Sequence, residues 1–100
     1  MSNDLGILFS PYTLNKLTLD NRIVMAPMTR EFSPDGIPGD DVASYYRRRA
    51  EGGTGLIITE GTTISDPVAS MGENIPAFHG EQALAGWKQV VEQVHAAGGK

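Results

Sequence analysis

The stretch RIVMAPMTR, residues 22–30, decides the fold that we expect for this chain. Its apolar run, residues 23–26, is typical of a strand that is covered on both faces. Pro27 cannot donate to a sheet ladder, so it marks the point at which strand pairing stops. The polar residues that follow, Thr29, Arg30 and Glu31, are therefore predicted to lie just beyond the carboxyl end of a buried strand.

The same pattern recurs in TGLIITEGTTI, residues 54–64, where the apolar run 56–58 is followed by a polar end. An earlier segment, PYTLNKLTLDN (residues 11–21), alternates apolar and polar residues on both sides of Asn15 and Lys16, which weakly indicates a β-hairpin. The chain thus contains two predicted buried strands that follow one predicted hairpin.

Two helices are predicted from apolar residues at helical spacing. In DDVASYYRRRAEGG (residues 40–53), Asp40 or Asp41 can cap the start, and the arginine run 47–49 is read as a solvated helix end. Gly52 or Gly53 can supply the left-handed stop. The second helix is EQALAGWKQVVEQVHAAGG, residues 81–99, which ends at its glycine pair. The predicted buried faces are Val42, Tyr45, Tyr46 and Ala50 in the first helix, and Leu84, Trp87, Val90, Val91 and Val94 in the second.

The order of elements is hairpin, strand, helix, strand, helix, which predicts an α/β fold with a parallel sheet. Two parallel strands cannot form a finished sheet, because both edges and one face of each strand stay open. We therefore expect residues 1–100 to be an N-terminal segment of a larger domain, with a third strand beginning near Lys100. Residues 1–100 alone are predicted neither to form a well-packed monomer nor to be active.

Composition narrows the possible functions. The chain has a net charge of −4, no cysteine, 40% apolar residues and 20% charged residues. A nucleic-acid partner gets no support from this charge, and the lack of cysteine removes thiolate catalysis and zinc–thiolate sites. The N-terminus lacks the basic start of a signal peptide, and no apolar run approaches the roughly 20 residues of a membrane helix. These features predict a soluble cytoplasmic protein with no membrane association.

The carboxyl ends of the two strands are the candidate site, because function in parallel α/β folds lies at those ends. Thr29 offers a hydroxyl and a backbone N–H, and Gly61 permits close approach to the backbone. Such donors suit a planar ligand with carbonyl acceptors. The alternative is that Pro27 and Gly61 merely terminate strands, and the residues alone leave both interpretations open.

Other candidate residues are weaker. Glu60 is a lone carboxylate, which is more often a structural hydrogen-bonding group than a catalytic acid. His95 is expected at the surface of the second helix, whereas His79 lies in the long loop of residues 65–80 and could line a pocket rim. We find no metal-binding set and no nucleophile with a base. The methionines Met25, Met28 and Met71 are expected to serve in packing.

Three segments together resemble the Old Yellow Enzyme family of FMN-dependent ene-reductases. They are LFSPYTLNKLTLDNRIVMAPMTR (residues 8–30), YYRRRAEGGTGLIITEG (residues 45–61) and WKQVVEQVHAAGGK (residues 87–100), in the family's order and spacing. The resemblance covers nearly the whole chain. It implies the N-terminal portion of a (β/α)8 TIM barrel, with the hairpin closing the bottom of the barrel.

The resemblance implies FMN as cofactor, NAD(P)H as reductant and a small activated alkene as substrate. Pro27 and Met28 would pack against the isoalloxazine and ribityl through their backbone. Thr29 would hydrogen-bond the flavin near O4 and N5, and Gly61 would offer its backbone N–H to the same edge. These four are the implied cofactor-binding residues, and a homo-oligomer is possible.

Some relatives carry cysteine at the position of Thr29 and tyrosine at that of Glu31, so this chain is similar to the threonine-bearing branch. No catalytic residue is expected within residues 1–100. The family's flavin-binding glutamine, its histidine pair for the substrate carbonyl, its proton-donor tyrosine and its phosphate loop are expected beyond Lys100. A different flavin-binding barrel enzyme and a non-catalytic fragment are the alternatives.

Overall fold

The computed structural model describes residues 5–69 and 72–100, so the predicted packing role of Met71 lies outside the described residues. A short helix that was not predicted comes first, and the remaining strands and long helices follow the predicted order of hairpin, strand, helix, strand and helix, with one additional 3-10 turn. The elements are α1 (Leu5–Leu8), β1 (Tyr12–Leu14), β2 (Leu17–Leu19), β3 (Val24–Met25), a 3-10 turn (Pro34–Gly36), α2 (Asp40–Glu51), β4 (Leu56–Ile57) and α3 (Glu81–Ala96).

The strands form two separate pairs. β1 and β2 make the predicted antiparallel hairpin, in which Tyr12 lies opposite Leu19. β3 and β4 pair in parallel, with Val24 opposite Leu56 and Met25 opposite Ile57. The apolar runs of the sequence therefore form a parallel pair as predicted, although each strand has only two residues in the ladder.

The core lies between α2 and α3. Its buried members are Val42, Ala43, Tyr46, Ala50, Trp87, Val90 and Val94. Two of the predicted faces need correction. Leu84 and Val91 are 46% and 47% exposed, and Ala83 is buried instead. Tyr45 is only partly buried against the core. The reason is geometric, since α3 meets α2 along one narrow stripe and residues beside that stripe face outward.

The ends of α2 differ in part from the prediction. Neither Asp40 nor Asp41 caps the helix, because the N-cap is Gly39 and it makes no side-chain capping bond. The Asp40 carboxylate instead accepts a hydrogen bond of 2.8 Å from Gln89 Nε2 on α3. At the other end, Gly53 adopts the predicted left-handed conformation, with φ of +98°.

The prediction that the arginine run at the end of α2 is solvated is correct only in part. Arg48 is exposed, whereas Arg47 and Arg49 are half-buried. Arg47 reaches across to α3, where its Nη1 donates to Gln93 Oε1 at 2.7 Å. These side chains therefore help to join α2 to its surroundings.

Only one face of the strand pair is covered in this chain, as predicted for two parallel strands without further neighbours. Met25 and Ile57 pack against the helical core, but Val24 is 46% exposed and Ile58 is also exposed. The other face of the pair, with Val24 and Leu56, borders an open apolar recess beneath the hairpin. One helical layer covers one face of a strand pair, so the second face stays open.

Lys100 lies against the edge of β4 that faces away from β3. The Ile57 N–H donates to the Lys100 carbonyl at 2.9 Å, on the side of β4 away from β3. Lys100 thus lies beside β4, at the edge where the third strand is predicted to begin. Within the described residues, no helix is long and apolar enough to cross a membrane.

Candidate functional site

The carboxyl ends of β3 and β4 carry the predicted site residues. The last backbone hydrogen bond between the two segments runs from the Ile58 N–H to the Met25 carbonyl, at 3.1 Å. Beyond Pro27 no backbone hydrogen bond joins the two described segments that follow β3 and β4. Among residues 5–69 and 72–100, the backbone N–H groups of Thr29 and Gly61 and the Thr29 hydroxyl have no hydrogen-bond partner.

All four residues predicted to bind the cofactor are exposed: Pro27, Met28, Thr29 and Gly61. Met28 is 66% exposed, so its predicted packing role is wrong within this chain. A Cβ atom added at Gly61 would lie 3.4 Å from Thr29 Oγ1, so these two residues are in contact range. The structure therefore places the Thr29 hydroxyl next to Gly61 at the ends of the two strands.

A buried ion pair lies next to these donors. Arg30 Nη1 is 3.5 Å from Glu60 Oε2, and the Glu60 side chain is completely buried. Arg30 directly follows Thr29, and Glu60 directly precedes Gly61. This contact is not a hydrogen bond, since Arg30 Nη1 has no hydrogen-bond partner within the described chain. The second carboxylate oxygen, Glu60 Oε1, has no partner there either. The pair is thus an electrostatic contact, held in place by other groups.

Tyr46 on α2 is one of those groups. Its hydroxyl donates to Glu60 Oε2 at 2.7 Å and accepts from the Glu60 N–H at 2.9 Å. The Tyr46 ring belongs to the helical core and is 1% exposed. Burial, and then the hydrogen bond to the Glu60 carboxylate, raises the pKa of the Tyr46 phenol well above its usual value. Tyr46 therefore acts as a neutral clamp on both the backbone and the carboxylate of Glu60.

Aromatic rings hold the arginine. The Arg30 guanidinium carbon lies 3.5 Å from the centroid of the Tyr45 ring and 4.9 Å from that of Phe32. The Arg49 guanidinium also lies against Tyr45, at 3.6 Å. Cations at such distances are attracted by the ring faces, and more strongly where water is excluded. The orientation of the Arg30 side chain is consequently fixed by these rings, and the side chain is only 13% exposed.

The remaining candidates lie away from this cluster. Glu31 is exposed with φ of +61°, and its Oε1 would lie 3.1 Å from a Cβ atom added at Gly72 in the long loop. His79 is exposed just before α3, and His95 is exposed on α3. Glu60 is a structural hydrogen-bonding group in this geometry, as the sequence favoured.

The sequence analysis missed the joint role of Arg30 and Tyr46. One signal was present, namely opposite charges placed directly beside the two strand-end donors. The partnership with Tyr46 had no sequence signal, since it depends on how α2 packs over the strands.

Comparisons with known proteins show which family the chain is similar to. The family described as NADH:flavin oxidoreductase / NADH oxidase matches residues 7–100. The chain is 42% identical to 12-oxophytodienoate reductase 7 of Oryza sativa subsp. japonica over 92 residues, which are 92% of this chain and 23% of that protein.

Solved structures give the same result. The chain superimposes on morphinone reductase in complex with tetrahydroNAD with a TM-score of 0.84 and 45% identity, covering 93% of this chain and 25% of that one. Against Old Yellow Enzyme from Pichia sp. AKU4542 the TM-score is 0.84 at 36% identity, covering 93% and 24%. The chain spans about a quarter of the length of these relatives. Because the family match extends over nearly all of its residues, this chain belongs to the NADH:flavin oxidoreductase / NADH oxidase family, that of the Old Yellow Enzymes.

Proposed function

We propose that this chain supplies the bottom hairpin and the first two β/α units of a (β/α)8 barrel in a longer FMN-dependent oxidoreductase. That enzyme would reduce small activated alkenes, such as α,β-unsaturated carbonyl compounds, with NAD(P)H. The observation that carries the proposal is the proximity of Thr29 and Gly61 at two parallel strand ends, where a Cβ atom added at Gly61 would lie 3.4 Å from Thr29 Oγ1 and both residues have unpaired backbone donors. The position of Lys100 on the open edge of β4 supports a barrel that continues beyond these residues.

The residues present fit a flavin. Gly61 leaves open space in front of the strand ends, and the Thr29 hydroxyl and two N–H groups are free to donate to a ring with carbonyl acceptors. Pro27 and Met28 are exposed beside them and would present their backbone to the isoalloxazine and ribityl. FMN, when bound, supplies hydride transfer from NAD(P)H to the β-carbon of the alkene.

The donors of this chain have a specific task in that chemistry. Fixed N–H and O–H groups stabilise an acceptor more strongly as it gains negative charge, so they favour the reduced ring over the oxidised one. Thr29 is therefore expected to raise the flavin midpoint potential. The substrate-binding pair, the proton donor and the phosphate site are expected in later parts of the protein. Cytoplasmic location and homo-oligomer formation stay predictions.

The test uses the full-length protein that carries this chain. We expect a yellow protein with flavin absorption bands, tight FMN binding by the apoprotein, and oxidation of NADPH or NADH coupled to loss of an alkene such as 2-cyclohexenone. A colourless protein that binds no FMN would overturn the proposal. FMN binding without alkene reduction would favour another flavin-dependent chemistry on the same barrel.

Residues 1–100 by themselves are expected to be inactive. Their strand pair has one open face, and Val24, Leu84 and Val91 are exposed apolar side chains. We expect self-association in sedimentation experiments and weak FMN binding. A cooperative monomer that binds FMN tightly would show that these residues are a complete domain.

A further inference from the structure

The two strand-end donors are connected through one carboxylate oxygen. Glu60 Oε2 receives the Tyr46 hydroxyl at 2.7 Å and lies 3.5 Å from Arg30 Nη1. Arg30 is bonded in sequence to Thr29, and Glu60 to Gly61. That oxygen therefore lies at the contact between the two residues that neighbour the donors in sequence.

We propose that Glu60, clamped by Tyr46 and Arg30, is a positioning residue that sets the spacing between the Thr29 and Gly61 donors and thereby tunes the bound flavin. This inference rests on the proposed function of the strand ends as a flavin site. It assigns a role to three side chains that need not touch the flavin.

No backbone hydrogen bond among the described residues fixes this spacing. The ladder between the two strands stops at the bond from Ile58 to Met25, several residues before Thr29 and Gly61. The only described hydrogen bond from the Glu60 N–H goes to the Tyr46 hydroxyl. The strand ends thus take their relative position from side chains that extend from α2 and from Arg30.

A charged contact suits this task better than an apolar one. A buried ion pair contributes little net stability compared with well-packed apolar residues, but its direction is specific. Both side chains of this pair are held in place. Arg30 lies against the Tyr45 and Phe32 rings, and Glu60 accepts a hydrogen bond from Tyr46. Within this cluster the Glu60 Oε2 atom and the Glu60 N–H are both hydrogen-bonded to the buried Tyr46 hydroxyl, and such bonds rigidify their surroundings.

The decisive variant is Tyr46→Phe in the full-length protein, since it keeps the core ring and removes both bonds to Glu60. Tyr12→Phe is the control, because Tyr12 lies in the hairpin and its hydroxyl has no hydrogen bond within the described part of the chain. We expect Tyr46→Phe to change the ratio of the dissociation constants of oxidised and reduced FMN about tenfold, which corresponds to about 30 mV in midpoint potential. The flavin absorption maximum should move as well.

A second variant protects the test against loss of folding. Glu60→Gln keeps an acceptor for the Tyr46 hydroxyl but loses the attraction to Arg30, and we expect a smaller potential shift in the same direction. Unchanged potential and spectrum in both variants, with only lower stability, would overturn the positioning role while leaving the flavin site intact. A wild-type protein without FMN would instead overturn the proposed function, and this inference with it.

Discussion

The two ends of the β3–β4 pair are built differently. At the amino end, Asn21 Oδ1 accepts the Ile23 N–H at 2.9 Å, and Asn21 Nδ2 donates to the Gly53 carbonyl at 2.6 Å. Gly55 is packed so tightly against Asn21 that a Cβ atom would lie 2.5 Å from its side-chain oxygen. At the carboxyl end, a buried charged cluster sits behind donors that stay unpaired.

We interpret this difference as a division of roles, in which the amino end of the strand pair contributes to stability and the carboxyl end carries the proposed binding site. Short neutral hydrogen bonds and close packing at the amino end contribute to folding, and they leave little room for a ligand. At the carboxyl end the side chain of Tyr46 binds Glu60, and the backbone N–H groups of Thr29 and Gly61 stay unpaired, so we expect them to serve the proposed ligand. Barrel enzymes show the same division between their two faces.

The largest expected effect comes from a matched pair of glycine substitutions. Gly55→Val places a Cβ atom 2.5 Å from Asn21 Oδ1 and 2.6 Å from the Asn21 carbonyl oxygen. Asn21 Oδ1 is the acceptor of the Ile23 N–H at this end of the strand pair. Because backbone must move to relieve this overlap, we expect a loss of at least about 3 kcal/mol of folding free energy. Urea unfolding and soluble yield of the full-length protein measure it.

The partner variant is Gly61→Val, where the added Cβ meets only Thr29 Oγ1 at an ordinary 3.4 Å. We expect near-normal unfolding but loss of most bound FMN, because the larger side chain would occupy the space in front of the donors. Full flavin content in this variant would mean that Gly61 is a strand terminator only. Normal stability of Gly55→Val would remove the contrast between the two ends.

A pair of arginine substitutions is expected to have the next largest effect. Arg30→Met leaves the buried Glu60 carboxylate without its cation, and such a loss costs about 3–5 kcal/mol. Arg22→Met, at the amino end, removes an exposed cation lying 5.1 Å from the Tyr12 ring, and this costs about 1 kcal/mol or less. Equal changes in the urea midpoint for the two variants would contradict the special status of the buried pair.

Much of this organisation could be predicted from the sequence. The apolar runs and helical spacings depend on local periodicity, so the order of elements and the strand ends were predictable, as were Thr29 and Gly61 as neighbours. The exposure of Leu84 and Val91 was not, because it depends on which stripe of α3 packs against α2. The clamp on Glu60 was not predictable either, since it joins segments that are far apart in the chain.

A pair of threonine substitutions tests the donors themselves. Thr29→Ala should lower the FMN midpoint potential and slow reduction by NAD(P)H, because one hydrogen bond to a charged acceptor contributes about 1.5–3 kcal/mol. Since about 1.4 kcal/mol equals 30 mV for two electrons, the shift should be some tens of millivolts. Thr13→Ala, which breaks the exposed contact to Thr18 in the hairpin, is the control. An unchanged potential in a spectroelectrochemical titration of Thr29→Ala would exclude its role.

The smallest expected effect is the pH dependence that Tyr46 adds to stability. Burial raises the pKa of the Tyr46 phenol in the folded protein above the value near 10 of an unfolded tyrosine. Above about pH 10 the unfolded chain releases this proton while the folded chain keeps it, so folding stability falls as pH rises. The slope attributable to this one group reaches at most about 1.4 kcal/mol per pH unit, and at pH 10.5 the loss is about 1 kcal/mol or less.

Urea midpoints of the full-length protein between pH 8 and pH 11 measure this slope. Tyr46→Phe should start at lower stability at pH 8, because both bonds to Glu60 are lost, and should then fall less steeply than the wild-type protein above pH 10. Tyr12→Phe controls for removal of a tyrosine hydroxyl at the opposite end of the strand pair. If the wild-type protein and Tyr46→Phe show parallel curves, the phenol is not held neutral by its surroundings, and the carboxyl end lacks the tight clamp that distinguishes it from the amino end.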